Sequence, residues 1–334
     1  MKTRSLFALL LIAYSACNKE SDSRLASTGR NDESIALTDT AKIPITDLGT
    51  GTFMGITGGL YPGGVNTPSG RYAKDLMSFA SNIAPLNSKG KTDSVKGKIG
   101  FISLGGSTCG DLFIALKNKT YGNGRTNSFL HMVNCANGGG KGSLNSLTNP
   151  DDPYWDHVNT VLRTSFLSVN QVQVIYLDTD DSTNLITFPG RPYKYRDELE
   201  EAMRVCKTKF KKLRLVYLMG RTTTFNKNEI PNKEPSPYYN GWGQKFAIED
   251  QINGTPGTKY KGTDAVAPLL AWGWYQWADG TAQPRQDGFV WTKNMTSDGL
   301  HASDEGLDTL SNRFQDFLLT DQYAKVWYAN RSKP

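Results

Sequence analysis

The chain has little histidine, little cysteine, and no long apolar run beyond its first residues. Three histidines and four cysteines stand among 334 residues. Cys17, Cys109, Cys135 and Cys206 lie far apart, without the short Cys-x-x-Cys spacing of a zinc site. Past the N-terminus no stretch is long and apolar enough to span a bilayer as a helix. There is no strong charge of one sign either: the formal net charge is +6, and +4 once Lys2 and Arg4 are set aside. The one basic cluster, Lys207–Arg214, falls at the end of a predicted helix, where cations suit the helix dipole, so nucleic acid is not an expected partner. With histidine this scarce, one that stands in a motif needs a reason.

What is present begins at the N-terminus. Lys2 and Arg4 precede an apolar run from Leu6 to Ala13, and Tyr14-Ser15-Ala16-Cys17 follows. That order resembles a bacterial lipoprotein signal over residues 1–17. It implies a lipidated Cys17 and a cell-envelope location with membrane contact through the lipid anchor only. Tyr14 stands where such signals usually carry Leu, so secretion without the anchor is the alternative. Residues 18–45 are polar and read as a flexible tether, leaving 46–330 as a single domain. Outside the cytoplasm Cys109 and Cys135, each following a predicted strand, could form a disulfide, with Cys206 left packed in a helix.

Within the domain, short apolar runs alternate with amphipathic ones. Lys98–Leu104, Phe129–Asn134, Val172–Leu177 and Leu213–Met219 read as strands. Residues 71–84, Cys109–Asn118, Tyr154–Phe166, Tyr195–Phe210, 239–253 and 303–319 read as helices. Such alternation predicts an α/β fold with a mostly parallel sheet covered on both faces, and ligands beyond the carboxyl ends of the strands. The dense glycines of Gly55–Gly64 predict a folded loop whose backbone approaches something closely.

Three segments carry candidate chemistry. The first predicted strand ends in Leu104-Gly105-Gly106-Ser107-Thr108, which places Ser107 at a helix N-terminus, where free N–H groups can hold an anion. Ser107 or Thr108 could equally serve as a simple helix cap. The second strand ends in Asn134-Cys135-Ala136-Asn137-Gly138-Gly139-Gly140, whose backbone N–H groups, or the Asn134 and Asn137 amides, could donate to an oxyanion. Before the last helix stands Asp298-Gly299-Leu300-His301. Here a carboxylate three residues ahead of a histidine can receive one ring N–H and leave the other nitrogen free as a base. His131, inside a strand, and His157, early in a helix, are expected to be structural.

Together these residues resemble the SGNH (GDSL-type) hydrolases over roughly residues 50–328. Gly58–Gly64, the helix Phe246–Ile252, Trp277-Ala278-Asp279-Gly280 and the Asp-x-x-His segment are similar to a poorly characterised secreted branch of that family. The resemblance implies a flavodoxin-like three-layer α/β/α fold and a serine ester hydrolase. Ser107 would be nucleophile, His301 base and Asp298 its orienting acid. Gly138 or Gly139 would supply the second-strand oxyanion N–H. It implies no metal and no organic cofactor.

Two departures stand out. Gly106 replaces the Asp of the usual Gly-Asp-Ser, and the family's Gly-x-Asn-Asp after the third strand is here Leu177-Asp178-Thr179-Asp180-Asp181. Ionised carboxylates cannot donate to an oxyanion, so Asn134, Asn137 or Thr179 would have to substitute. The three acids read as a solvated loop rather than a cation site. Arg221, after the fourth strand, could grip a substrate carboxylate or sugar hydroxyl, or tie down the loop 222–238. Among the many aromatics, Tyr61 and Trp242 are the candidates for stacking on a sugar ring. The expected substrate is a small-molecule or carbohydrate ester, most readily an acylated carbohydrate. The alternative is a glycan-binding protein on the same scaffold, without turnover.

Overall fold

The computed structural model describes residues 40–122, 124–181, 187–226 and 232–330. Cys17, the signal segment and most of the expected tether lie outside them. The expected end of the tether is already in the core: Ile45 is fully buried, and the Ile43 carbonyl accepts from Tyr238 Oη at 2.8 Å. Short pieces come first, α1 (Ile45–Leu48) and a hairpin of β1 (Thr52–Phe53) and β2 (Ile56–Thr57), then α2 (Gly70–Ser81). The glycine-rich loop does pack closely on itself. Gly59, at φ +72°, leaves no room for a side chain, because a Cβ there would stand 2.3 Å from the Gly64 carbonyl carbon.

The central sheet holds β3 (Ile99–Gly105), β4 (Leu130–Asn134), β5 (Val172–Asp178), β6 (Leu215–Leu218) and β7 (Leu269–Trp272). Their order is β4-β3-β5-β6-β7, and every pairing is parallel. Every residue of β3, β5, β6 and β7 is buried, as a parallel sheet covered on both faces requires. The connections run through α3 (Ser107–Thr120), α4 (Leu144–Thr148), α5 (Pro153–Thr164), α6 (Gly190–Lys209) and α7 (Ser236–Asn253), with α8 (Asp304–Thr320) and α9 (Lys325–Tyr328) closing the chain. Helix α3 packs on α8, and α6 packs on α7 and α4, so helices form a layer on either side of the sheet. This is the flavodoxin-like strand order, and its direction reverses between β3 and β5. No helix of the described residues is long and apolar enough to cross a membrane.

Strand β7 has no counterpart among the expected strands. Leu269-Leu270-Ala271-Trp272 is four residues long, follows Pro268 and contains no β-branched side chain. It is a strand because its backbone pairs with β6, which local sequence does not reveal. The basic cluster behaves as a helix end: Lys207 Nζ donates to the Leu213 carbonyl at 3.1 Å and Lys209 Nζ to that of Pro150 at 2.7 Å.

The suggested Cys109–Cys135 disulfide is absent. Cys109, Cys135 and Cys206 are all free and buried. Cys109 Sγ lies 3.3 Å from the Leu104 carbonyl inside the first turn of α3, and burial raises both the Cys109 and Cys135 thiols. Alkylation of the unfolded protein without reductant is therefore expected to modify all three. Modification of Cys206 alone, with the other two released only by reductant, would contradict this.

Candidate active site

The crevice at the carboxyl ends of β3 and β5 is built by close backbone contact. Gly105, the last residue of β3, pairs with Asp178, the last of β5, at φ +146°. A Cβ there would stand 1.9 Å from the Asp178 carbonyl oxygen, so only glycine fits. The chain then turns directly into α3. Gly106 is the cap position without a side chain to cap, and Ser107 is the first helical residue. The simple-cap alternative is thereby set aside for Ser107. Its hydroxyl Oγ lies 2.8 Å from His301 Nε2.

His301 is held from the opposite side. Its Nδ1 is 2.7 Å from Asp298 Oδ2, while Asp298 Oδ1 accepts the backbone N–H groups of Leu300 (2.9 Å) and His301 (2.7 Å). The hydrogen bonds from His301 hold the Asp298 carboxyl down to about 2, so it is an anion at any ordinary pH. This keeps the Nδ1 proton toward Asp298 and leaves Nε2 facing Ser107 as an acceptor. Gly299, at φ +87°, makes the turn, and its carbonyl accepts from Phe225 N at 2.7 Å and Thr224 Oγ1 at 2.9 Å. The loop ends where Ser303 Oγ accepts from Gly306 N and opens α8. Asp298 is the more open member, its side chain 54 % exposed.

The glycine loop after β4 approaches from the third side. A Cβ on Gly138 would lie 3.3 Å from Ser107 Cβ and 3.9 Å from Ser107 N, so Gly138 is the member adjacent to the helix N-terminus. Gly142 touches the end of β3 so closely that a Cβ would stand 1.8 Å from the Gly105 carbonyl oxygen. Tyr154 braces both strand ends: its hydroxyl accepts from Gly105 N at 3.0 Å and donates to the Cys135 carbonyl at 3.1 Å.

Asn134 is not arranged as a side-chain donor. Asn134 Oδ1 accepts from Ser103 Oγ (2.6 Å) and from Ala136 N (3.1 Å), and its amide nitrogen lies against Gly110, a turn beyond Ser107. The Asn137 backbone N–H donates to the Gly105 carbonyl at 2.9 Å. Of this loop Gly139, Gly140 and Gly142 line the cavity beside Ser107, while Asn134, Asn137 and Gly138 do not. Thr179, the other substitute, spends its hydroxyl on the Gly142 carbonyl at 2.5 Å.

The acidic loop after β5 is buried and paired, not solvated. Asp180 Oδ1 accepts from Arg191 Nη2 and Asp180 Oδ2 from Arg221 Nη1, both at 2.6 Å, while Asp181 lies 2.8 Å from Arg191. Removing Asp180 would leave the buried Arg221 guanidinium without a close countercharge, Asp178 standing off at 3.7 Å, while Arg191 would keep Asp181; the expected loss is ~3–5 kcal/mol. Arg191, fully buried, was not legible as a site residue, because nothing in Gly190-Arg191-Pro192 marks a countercharge. Arg221 reaches Asp180 and, at 3.4 Å, Asn232 Oδ1, so it ties the loops together. It also lines the cavity of about 400 Å³ beside Ser107. Gly106, Gly139 and Gly140 form part of that wall, and Asp178–Asp181 another part. Among the described residues no group of three or more His, Cys, Asp or Glu is arranged to hold a metal ion.

The two aromatic candidates do not line this cavity. Trp242 is fully buried among Phe53, Phe188 and Tyr238. Tyr61 is 4 % exposed, its hydroxyl near Trp272 N, beside a separate small cavity. Apolar burial outweighs surface display for rings this large. His131 Nε2 bonds the Ser165 carbonyl at 2.8 Å, and His157 lies on α5 beside the Tyr154 ring, both away from Ser107.

No family model matches the chain, and neither does any curated protein. Among solved structures it is similar to a protein of Bacteroides fragilis described as "a putative acylhydrolase", at 11% identity and a TM-score of 0.38, over 75% of this chain and 97% of that one. It is similar to a protein of Arabidopsis thaliana at 11% identity and a TM-score of 0.34, over 63% and 66%. It is also similar to a salicylyl-acyltransferase of a tetracycline biosynthetic pathway at 11% and 0.35, over 68% and 56%. The fold, a flavodoxin-like α/β/α domain, follows from the chain's own sheet order.

Burial gives the region a pH signature. It raises the Asp178 carboxyl to about 6 and that of Glu234, which accepts from Trp277 Nε1, to about 7. A carboxyl raised by folding binds its proton more tightly in the folded chain. Its stabilising protonation is complete below the unfolded value, near 4, and is lost as pH climbs through the folded one. Asp298 has the opposite sign, contributing stability above about pH 4 that is lost as pH falls toward 2. Melting temperature is therefore expected to decline from about pH 4 to about pH 7. Glu234→Gln should gain about 5 °C near pH 8 and nothing near pH 4. A variant profile parallel to wild type would contradict this.

Proposed function

We propose that the protein is a serine ester hydrolase of the SGNH type, exported and anchored through Cys17, that removes an acyl group from a carbohydrate. The observation that carries this reading is the unbroken chain from Ser107 Oγ through His301 to Asp298, at 2.8 and 2.7 Å. In the first step Ser107 Oγ attacks the ester carbonyl while His301 Nε2 takes its proton. Asp298 stabilises the imidazolium that forms.

The carbonyl oxygen, now negative, sits at the N-terminus of α3. There the Ser107 N–H is not used by the helix ladder, and the Gly138 backbone lies alongside. Main-chain N–H groups thus take the place of the missing third-strand Asn. Collapse of the tetrahedral species expels the alcohol, which receives the proton from His301. Water activated by the same histidine then releases the acid. This route needs neither metal nor organic cofactor. A cavity walled by glycine backbone and buried polar side chains supports a small acyl group on a hydroxyl-rich alcohol better than a long aliphatic ester.

Ser107→Ala removes the nucleophile and one hydrogen bond at a half-buried position. It is expected to lower turnover of p-nitrophenyl acetate by at least ~1,000-fold, with the melting temperature moving by less than ~2 °C. Full turnover in that variant would sink the assignment.

A further inference from the structure

The cavity beside Ser107 has a small neighbour. A compartment of about 20 Å³ shares Thr108, Asp178, Arg221 and Leu300 with it and is lined beyond them by Asp111 and Gln276 and by the apolar Leu112, Leu307 and Leu310. That volume suits one oxygen atom with its hydrogen, as in a water molecule or a hydroxyl group. Asp178 borders both spaces and is 3 % exposed. Its Oδ2 accepts from Tyr176 Oη at 3.3 Å, and Tyr176 Oη in turn accepts from Gln276 Nε2 at 3.0 Å. Its Oδ1 accepts no hydrogen bond from the described residues, and the nearby Arg221 Nε stands off at 3.7 Å. A buried carboxylate oxygen without a donor is costly, and a native fold normally supplies one.

We propose that Asp178 is a specificity-determining residue: its Oδ1, beside Arg221, receives a hydroxyl group of the alcohol half of the substrate. The inference rests on the ester-hydrolase reading and sharpens its substrate class to a neutral, hydroxyl-bearing alcohol. A hydroxyl can donate to Oδ1 and accept from the guanidinium at once, which neither a methylene nor a carboxylate can do. A methylene there leaves Oδ1 unpaired. An anionic alcohol meets Asp178, Asp180 and Asp181 on one wall, with Arg221 already committed to Asp180 at 2.6 Å. Recognition by this polar corner replaces the aromatic stacking that Tyr61 and Trp242, both buried elsewhere, do not offer.

Sites built to hydrogen-bond a hydroxyl discriminate strongly against analogues that lack it. The test compares kcat/KM for monoacetylated methyl glucoside with that for cyclohexyl acetate, a ring of similar size without hydroxyls. Wild type is expected to prefer the sugar ester by at least ~10-fold, and Asp178→Ala to bring the ratio within ~3-fold of unity, mainly through KM. A wild-type ratio near unity would overturn the inference whether or not the variant folds, as would a preference undiminished in Asp178→Ala and Asp178→Asn. Hydrolysis of neither ester by wild type would instead overturn the hydrolase reading, and this inference with it.

Discussion

The contact on which the site depends is the one between the ends of β3 and β5, where the Gly105 backbone lies against the Asp178 carbonyl. It sits at the point where the sheet order reverses, so the segments leaving the two strands diverge and leave a crevice between them. On one side the chain turns at once into α3 and presents Ser107 at a helix N-terminus. On the other, the acidic loop emerges and is held from beneath by Arg191. Thr179 and the Asp180 carbonyl then fasten this loop to the glycine loop, through Gly142 and through Leu144 N. The candidate nucleophile, the candidate oxyanion wall and the floor of the cavity are therefore positioned by one pair of strands.

The buried charges fit the same logic. Asp180 bridges two guanidinium groups that come from separate connections, the start of α6 and the end of β6. Ion pairs out of water are poor sources of net stability, since desolvation offsets much of the attraction. Their use here is geometric, because a planar guanidinium held by a carboxylate has few orientations left. The cost falls on Asp178 and Asp181, whose carboxyls burial pushes upward. A carboxyl kept in that state beside a candidate nucleophile needs a reason, and contact with a substrate hydroxyl provides one.

Much of the layout was legible in the sequence. The strands β3, β4, β5 and β6 showed as apolar runs, and Asp298 and His301 showed as a short motif, whereas their pairing with Ser107, 194 residues before His301, came from the family resemblance and not from spacing. Strand β7 did not show, because pairing with β6 rather than local propensity makes it a strand. Asn134 looked like an oxyanion donor because it ends a strand, but its orientation is set by Ser103, which sequence does not place beside it. Trp242 and Tyr61 looked like ligand platforms because composition cannot tell a core ring from a displayed one. The acidic loop looked solvated because its partners, Arg191 and Arg221, lie far along the chain or carry no signal of their own.

The most direct test is the intact mass of the protein after exposure to a fluorophosphonate, wild type beside His301→Ala. A single adduct on wild type, mapped to Ser107 and lost in the variant, is the predicted result, since only a hydroxyl activated by the histidine reacts at a useful rate. Absence of an adduct on wild type, or equal labelling of both proteins, would contradict a working serine–histidine pair.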